Sequence, residues 1–422
     1  MIMRAMAVAL ISGAVGAGAI GAAVKLNPAS AAASVDHDWE KSRPGPDSGR
    51  VAILIDALGR TDPVVCELIG DQLGNFWWGN SSGVGRLAAA SAAVQVAKDS
   101  TSGAITDPRA INRLIAELDG PNACTRRVAA KLLGNSTVTA GRLTSLLSNA
   151  SANVRESAAL AAANSEHKDV VPALQRALDD QTPAVVAMAA YALGELEDKA
   201  SVPALVKLVR SGDEHVRLSA IWALGQLEDA RAVPAIIATL RDQNVAIRRM
   251  SADVLGEFDD DSEKAQAIAP LELALRADAD AEVRAEAASS LGQISSPSSA
   301  QALGHALSDA DVRVRRAAAE AIGDLDDVRV APAGLAAALS STDPELRYRA
   351  AKAIASIADP ATTSAVIGIL SSPDAELRKD AVEALGKIGT QPAVQAITKA
   401  LNDRDPEVRK AAAEALGEIK DS

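Results

Sequence analysis

The chain has 422 residues and a formal net charge of −12, and 48% of its residues are hydrophobic but only 2% are aromatic. This length exceeds what one hydrophobic core usually supports, and the shortage of aromatic residues excludes a core built around large rings. The acidic charge argues against nucleic-acid phosphates as the main binding partner.

The N-terminal segment has the pattern of an export signal. Residues 5–24 follow Arg4 and carry no charge, and small residues after Pro28 offer cleavage sites. Residues 1–31 are therefore predicted to be a signal peptide, with the mature chain starting near Ala32. The alternative is an uncleaved N-terminal anchor in an inner membrane, because an apolar run of this length can just span a bilayer. The protein is expected to be exported, to the periplasm or beyond the cell.

A linker and an irregular segment follow. Residues 32–48 contain Pro44, Gly45 and Pro46 and are predicted to be a linker. Residues 49–107 are predicted to hold N-terminal capping or degenerate repeats. Their FWWGN stretch, from Phe76, either caps the exposed end of the repeat array or binds a partner.

Residues 108–422 carry a repeated phrase, seen as EHVRLSAIWALG, VRVRRAAAEAIG and PEVRKAAAEALG. Each copy ends on a small residue, here called the closing residue, and most copies are 31 residues apart. An earlier copy, in residues 49–107, closes on Gly74, and the later closing residues are Gly134, Ala163, Gly194, Gly225, Gly256, Gly292, Gly323, Ala355, Gly386 and Gly417. A period of this size indicates a repeat architecture.

Positions counted back from the closing residue have physical meanings. Position −9 is apolar and position −5 is usually Ala, so these residues form one helical face. Glycine as the closing residue suits a left-handed helix end. Position −12 can cap a helix in every copy, and it holds Asp62, Asn122, Ser151, Thr182, Asp213, Asn244, Asp280, Asp311, Asp343, Asp374 and Asp405. A shorter apolar helix that begins with proline precedes this cap, so each repeat is predicted to be two helices.

This phrase resembles the HEAT-like repeat of the phycobilisome-lyase class and, more loosely, the armadillo and HEAT families. The resemblance covers residues 49–421. It implies an all-α fold, an α-solenoid of about eleven two-helix repeats of roughly 31 residues each, wound into a superhelix.

Arginine recurs at position −8, and two functions suit such a column. It is either a basic stripe for an anionic partner or a structural ladder in which each arginine pairs with the capping residue of a neighbouring repeat. The column holds Arg126, Arg155, Arg217, Arg248, Arg284, Arg315, Arg347, Arg378 and Arg409, whereas Cys66 and Val186 replace it elsewhere. We predict the ladder, as in similar solenoids.

No catalytic, cofactor-binding or metal-binding residues are predicted. The four histidines lie in no metal-ligand spacing, and the run from Asp259 to Asp261 lacks the alternating ligands and central glycine of a calcium loop. That run is expected to be a solvated turn. Cys66 and Cys124 are the two cysteines, and the repeat register places them in different layers, which argues against a disulfide between them.

Positions −10, −7, −6 and −3 lie opposite the core face and are expected to line the concave surface. In the C-terminal repeats they hold mixed charges, as in Arg316, Glu320 and Arg349. In three central repeats they become apolar, at Met188, Tyr191, Leu218, Trp222 and Met250. We predict that these five residues form an exposed patch that binds a partner, and the alternative is that they only thicken the core.

The predicted function is a non-catalytic protein–protein interaction scaffold or adaptor of the bacterial envelope or secreted space. Its partners are expected to be proteins rather than nucleic acids or membranes, and the chain is expected to be monomeric. The resemblance also allows an alternative, a lyase, lyase subunit or chaperone of the phycobilin-lyase class. The scarcity of aromatic residues and the export signal argue against that alternative.

Overall fold

The computed structural model describes residues 48–58 and 104–420, and helices dominate this part of the chain. In chain order they are α1 (Ser48–Leu58), α2 (Pro108–Glu117), α3 (Ala123–Gly134), α4 (Ala140–Leu147), α5 (Ala152–Ala163), α6 (Val171–Ala177), α7 (Pro183–Glu195), α8 (Val202–Leu208), α9 (Glu214–Leu227), α10 (Val233–Thr239), α11 (Val245–Glu257), α12 (Asp261–Ala277), α13 (Ala281–Ile294), α14 (Ala300–Ala306), α15 (Val312–Asp324), α16 (Ala333–Ala338), α17 (Pro344–Ile357), α18 (Thr363–Ile369), α19 (Ala375–Ile388), α20 (Gln391–Ala400) and α21 (Pro406–Lys420).

From α2 onward the helices form pairs, each a shorter first helix followed by a longer second helix in most repeats. The second helices pack against one another from repeat to repeat, as α7 on α9 and α13 on α15. The all-α solenoid predicted from the repeat is thus confirmed. Helix α1 packs against α2 and α3. The predicted signal peptide, Gly74 and the FWWGN stretch lie outside the described residues, so the predicted domain limits stay predictions.

The closing glycines have a different role from the one predicted. Gly194 lies within α7, and a Cβ built on it would be 2.9 Å from the Cα of Ala223 in α9. The left-handed residues come three positions later, for example Glu197 with φ 57° and Glu228 with φ 44°. The prediction that the closing glycine ends its helix was therefore wrong. The glycine instead lets consecutive second helices approach closely.

The predicted helix caps are present. Asp213, for example, accepts hydrogen bonds from the backbone N–H groups of His215 and Val216 at 2.9 and 3.1 Å. Such bonds satisfy amides that have no partner within the helix. Two capping positions of the described chain, Ser151 and Thr182, lack a side-chain bond of this kind.

The arginine ladder is present, but its carboxylate partner is not the capping residue. Arg248 donates from Nε and Nη2 to Asp278 of the next repeat, at 2.7 and 3.0 Å. Asp278 lies two residues before the capping Asp280 and accepts the backbone N–H of that residue at 2.9 Å. The same arrangement joins Arg155 to Asp180, Arg217 to Asp242, Arg284 to Asp309 and Arg378 to Asp403. One carboxylate therefore braces the capping turn of its own repeat and ties it to the preceding repeat.

The solvated turn predicted for the acidic run is present, because Asp259 and Asp260 are exposed and lie between α11 and α12. The expansion before residue 263 also lengthens α12, which begins at Asp261. Asp260 caps α12 by accepting the N–H of Ser262 at 2.8 Å. Helix α12 has 17 residues and carries Pro270 inside it, whereas α8 and α10 have seven residues and begin beside their proline. The extra residues thus form additional helical turns ahead of the usual start.

Cys124 is disulfide-bonded, contrary to the expectation from the repeat register. The only other cysteine of the chain, Cys66, lies outside the described residues. The repeat register could not predict this bond, because it gives the position of a residue within its repeat and not its distance from residues of other repeats.

Candidate functional site

The second helices form the inner layer of the solenoid. They contact one another closely through small residues, as where Gly292 faces Ala321. The first helices contact mainly the second helix of their own repeat. In a stack of two-helix units, the layer with the closer spacing lies on the inside of the curve. The face of the second helices that points away from the first helices is called the inner surface below.

Three residues of the predicted patch are buried rather than exposed. The exposed fractions are 6% for Met188, 9% for Leu218 and 7% for Met250. The close approach of α7, α9 and α11 places these side chains between helices. The expectation that they are exposed was therefore wrong, and their role in partner binding stays a prediction.

Tyr191 and Trp222 remain half-buried on the inner surface and stack on each other. Their ring centroids are 4.6 Å apart, with 28° between the ring planes. Trp222 also lies over Gly194, because a Cβ built on that glycine would be 3.0 Å from Cζ3 of the indole. Burial, followed by the charge of the Glu195 carboxylate and a hydrogen bond with it, raises the pKa of the Tyr191 phenol. The structure thus leaves two of the five predicted residues within reach of a partner.

Three carboxylates continue the inner surface beyond the stacked rings. Asp253 occupies the same repeat position as Tyr191 and Trp222, and Glu257 follows it by one helical turn. Glu286 extends from the next second helix, α13. Within the described residues these three side chains have no hydrogen bond and no ion pair within 4 Å. The prediction from sequence missed them because, in the central repeats, it considered only the apolar residues of these columns.

The pKa values of these carboxyl groups are raised. Burial, followed by the charges of Asp253 and Glu228, raises the pKa of Glu257 to about 7. Burial, followed by the charge of Asp253, raises the pKa of Glu286 to about 7. Burial raises the pKa of Asp253, and the nearby Arg249 only partly opposes this effect. Neighbouring carboxylates repel each other when few cations lie nearby, so their charged forms are disfavoured and their pKa values rise.

The C-terminal repeats differ because several of their inner charges are paired. Arg349 bonds to Glu345 at 2.8 Å and also to Glu320 of the preceding repeat. Arg316 bonds to Asp343 at 2.9 Å from its Nε. Most of the inner charges predicted for these repeats are therefore neutralised by ion pairs, although burial raises the pKa of Asp380 in α19 to about 6 and one of its oxygens has no hydrogen-bond partner among the described residues.

Residues 48–58 and 104–420 offer neither a metal site nor a membrane span. This part of the chain contains no group of three or more His, Cys, Asp or Glu side chains placed to hold a metal ion. None of its helices is long and apolar enough to cross a membrane.

Comparison with protein-family models identifies HEAT repeats over residues 139–217, 202–272, 268–333 and 332–417. No curated protein matches the chain. The narrower likeness to phycobilisome-lyase repeats stays a prediction.

Solved structures of importin beta and Kap95p share the fold. Importin beta aligns with a TM-score of 0.54 at 15% identity, over 87% of this chain and 58% of its own. Kap95p, whose binding induces the switch loops of RanGDP to adopt the GTP-bound conformation, aligns with a TM-score of 0.53 at 13% identity, over 89% of this chain and 61% of its own. An engineered protein aligns with a TM-score of 0.43 at 23% identity, over 88% of this chain and 99% of its own. At these identities the likeness shows the fold alone.

Proposed function

Because the chain belongs to the HEAT-repeat family, we propose that it is a non-catalytic scaffold or adaptor that binds a protein partner on its inner surface. The observation that carries this proposal is the stacked pair Tyr191 and Trp222, half-exposed on that surface beside carboxylates without ion-pair partners. Tyrosine and tryptophan are the residues most often found as anchors in protein interfaces. Solenoids of stacked repeats use such extended surfaces for binding.

We further propose that the protein works outside the cytoplasm, in the bacterial envelope or the secreted space. The uncharged run at residues 5–24 supports export. The disulfide of Cys124 gives independent support, since disulfides persist in oxidising compartments. Intact-mass measurement of the natively expressed protein tests this proposal. A mature chain starting near Ala32 is expected, whereas a chain retaining residues 1–31 in the cytosolic fraction would contradict it.

Site-specific photo-cross-linking in the native cell tests the scaffold proposal. A photoreactive amino acid at Gln226, an exposed position one turn after Trp222 on α9, should capture a discrete partner. The matched control is the same amino acid at Lys207, which lies on the first helix of the same repeat, away from the inner surface. Equal capture from both positions, or none from Gln226, would overturn binding on the inner surface.

A further inference from the structure

We propose that the inner surface of α7, α9, α11 and α13 binds a segment of the partner that carries arginine or lysine side chains. The residues that define this acidic–aromatic surface are Tyr191, Trp222, Asp253, Glu257 and Glu286. This inference rests on the proposed scaffold function and adds the chemistry of the partner to it.

The stacked rings provide the first reason. Tyr191 and Trp222 are partly accessible and belong to adjacent repeats, and their stacked rings form one aromatic platform on the inner surface in which each ring covers one face of the other. A guanidinium or ammonium group placed over an outer face of this stack, especially that of tryptophan, would be attracted by the ring quadrupole. Glu195, which bonds to the Tyr191 hydroxyl, places a carboxylate at one end of the platform. Asp253 occupies the equivalent position in the repeat at the other end.

The charge balance provides the second reason. Across the inner positions of these four helices there are five acids and one arginine. The acids are Glu195, Asp253, Glu257, Glu282 and Glu286, and the arginine is Arg249. Arg249 pairs with Glu282 at 3.1 Å, and Glu282 also bonds to Arg313 at 3.0 Å. The pairing of Arg249 with Glu282 leaves Asp253, Glu257 and Glu286 without an ion pair among the described residues. A cation from a partner would supply the missing charge.

The raised pKa values of Glu257 and Glu286 agree with this interpretation. Glu286 is partly buried in the groove, and both groups face other carboxylates, so their charged forms are disfavoured in the unbound protein. A cation bound nearby favours the charged forms and lowers both pKa values. Binding should therefore release protons near neutral pH.

The dimensions favour an extended peptide segment over a small cation. Neighbouring helices in such stacks lie about 8–10 Å apart, so the surface from α7 to α13 extends over roughly 25–30 Å. An extended chain of about eight to ten residues covers that length. Cationic side chains distributed along such a segment can reach the rings and the three carboxylates together.

A titration with a defined peptide tests the proposal. The probe is a fluorescein-labelled peptide of about twelve residues that alternates Arg and Ser, long enough to cover the surface. It is titrated into the full-length protein at about 0.15 M salt, where exposed charges are strongly screened. The test variant is Asp253→Asn with Glu286→Gln, and the control variant is Glu407→Gln with Glu414→Gln. Both variants lose two negative charges, but the control acids lie on α21, at the C-terminal end of the array.

The proposal predicts that the test variant binds the peptide at least about tenfold more weakly, because desolvated charge pairs dominate such contacts. The control variant should stay within about twofold of the wild type, as distant exposed charges contribute little. Equal weakening in both variants would show attraction to overall charge and would overturn the proposal, as would no binding by the wild type. Melting curves establish that each variant is folded.

The same variants separate this inference from the scaffold proposal. If the partner captured from Gln226 binds the Asp253→Asn, Glu286→Gln variant as tightly as the wild type, the cationic segment is refuted and the scaffold remains. If the peptide binds selectively but no partner is captured at Gln226, the charge recognition stands and the scaffold proposal fails.

Discussion

Arg248 and Asp278 lie thirty residues apart in the chain, yet they share two hydrogen bonds of 2.7 and 3.0 Å. The guanidinium also donates to the carbonyl oxygen of Asp242 at 2.8 Å, within its own repeat. Each such arginine–aspartate pair, here called a rung of the ladder, thus joins the capping turns of two consecutive repeats. In the equivalent rung, hydrogen bonds from Arg284 lower the pKa of Asp309, so the aspartate stays charged at neutral pH.

The first prediction concerns these rungs. Arg248→Ala should lower the free energy of unfolding by about 2 kcal/mol, because it leaves a poorly solvated carboxylate without its partner. The matched control is Arg347→Ala, because serine, Ser372, occupies the position where its aspartate partner would lie. Arg347 donates to the Ser341 carbonyl oxygen of its own repeat at 2.8 Å. Its loss should lower stability by under about 1 kcal/mol. Urea denaturation measures both, and equal losses would contradict the pairing across repeats.

The second prediction concerns the helix caps. Asp374 accepts the backbone N–H of Glu376 at 3.1 Å, and Asp374→Ala should lower stability by about 1 kcal/mol. Thr182 occupies the same position in another repeat but makes no capping bond through its side chain. Thr182→Ala should therefore change stability by less than about 0.5 kcal/mol. Thermal melting distinguishes the two, and a larger loss for Thr182→Ala would show that the side-chain bond is not what stabilises the helix start.

The third prediction concerns the closing glycines. A Cβ on Gly292 would be 2.8 Å from both Cα and Cβ of Ala321, so Gly292→Ala must push two helices apart. We expect a loss of about 1–3 kcal/mol, as for overpacking in a core. Gly368 also lies inside a helix, but a Cβ added to it would meet nothing within 4 Å. Gly368→Ala should instead stabilise the protein by about 0.5–1 kcal/mol through helix propensity. Opposite signs in chemical denaturation would confirm the close approach, and a stabilising Gly292→Ala would refute it.

The fourth prediction is a pH dependence from Glu286. Its pKa is raised to about 7 by burial and then by Asp253, with Arg249 opposing and Glu257 and Glu282 adding to the shift. The folded state thus holds this proton more tightly than the unfolded state, so stability is lost as pH rises from the unfolded pKa towards 7. Glu286→Gln should stabilise the protein by about 1 kcal/mol at pH 8, after allowance for solvent screening, and by little at pH 5.

Melting temperatures of the wild type and Glu286→Gln at the two pH values check this dependence. In the Asp253→Asn background the effect should shrink, because one of the neighbouring charges has been removed. A Glu286→Gln variant that is less stable than the wild type at pH 8 would show that the carboxylate is stabilised by a favourable interaction instead.

The fifth prediction separates packing from binding at Trp222. Its indole stacks on Tyr191 and lies over Gly194. Trp222→Ala should lower stability by about 2 kcal/mol, less than for a fully buried aromatic residue. It should also weaken binding of the Arg–Ser peptide several-fold, because an aromatic face that attracts cations is lost. Tyr348→Ala, at an inner position that is 46% exposed, is the control and should change stability little. If folded Trp222→Ala binds the peptide as tightly as the wild type, the indole is not part of the binding surface.

The sequence alone determined the repeat, its helices and its caps. These features depend on local chemistry, since an apolar period, a capping side chain and a proline act within one or two turns of helix. Asp213 and Asp374 could therefore be recognised as caps from their place in the repeat. The existence of the arginine ladder was also predictable, because Arg248 and its equivalents recur with the repeat.

Only the tertiary structure decided which residues meet between repeats. The partner of Arg248 is Asp278 rather than the capping Asp280. The repeat period gives the position of each arginine in the chain, but not the direction in which its side chain crosses to the next repeat. Met188, Leu218 and Met250 occupy positions predicted to be exposed, but they are buried where the second helices approach closely, at Gly194 between α7 and α9 and at Gly225 between α9 and α11. The packing of the same layer leaves Tyr191 and Trp222 partly accessible and places Asp253 near Glu286. Exposure and charge pairing depend on interhelical distances, and those distances arise from packing between residues that are distant in the chain.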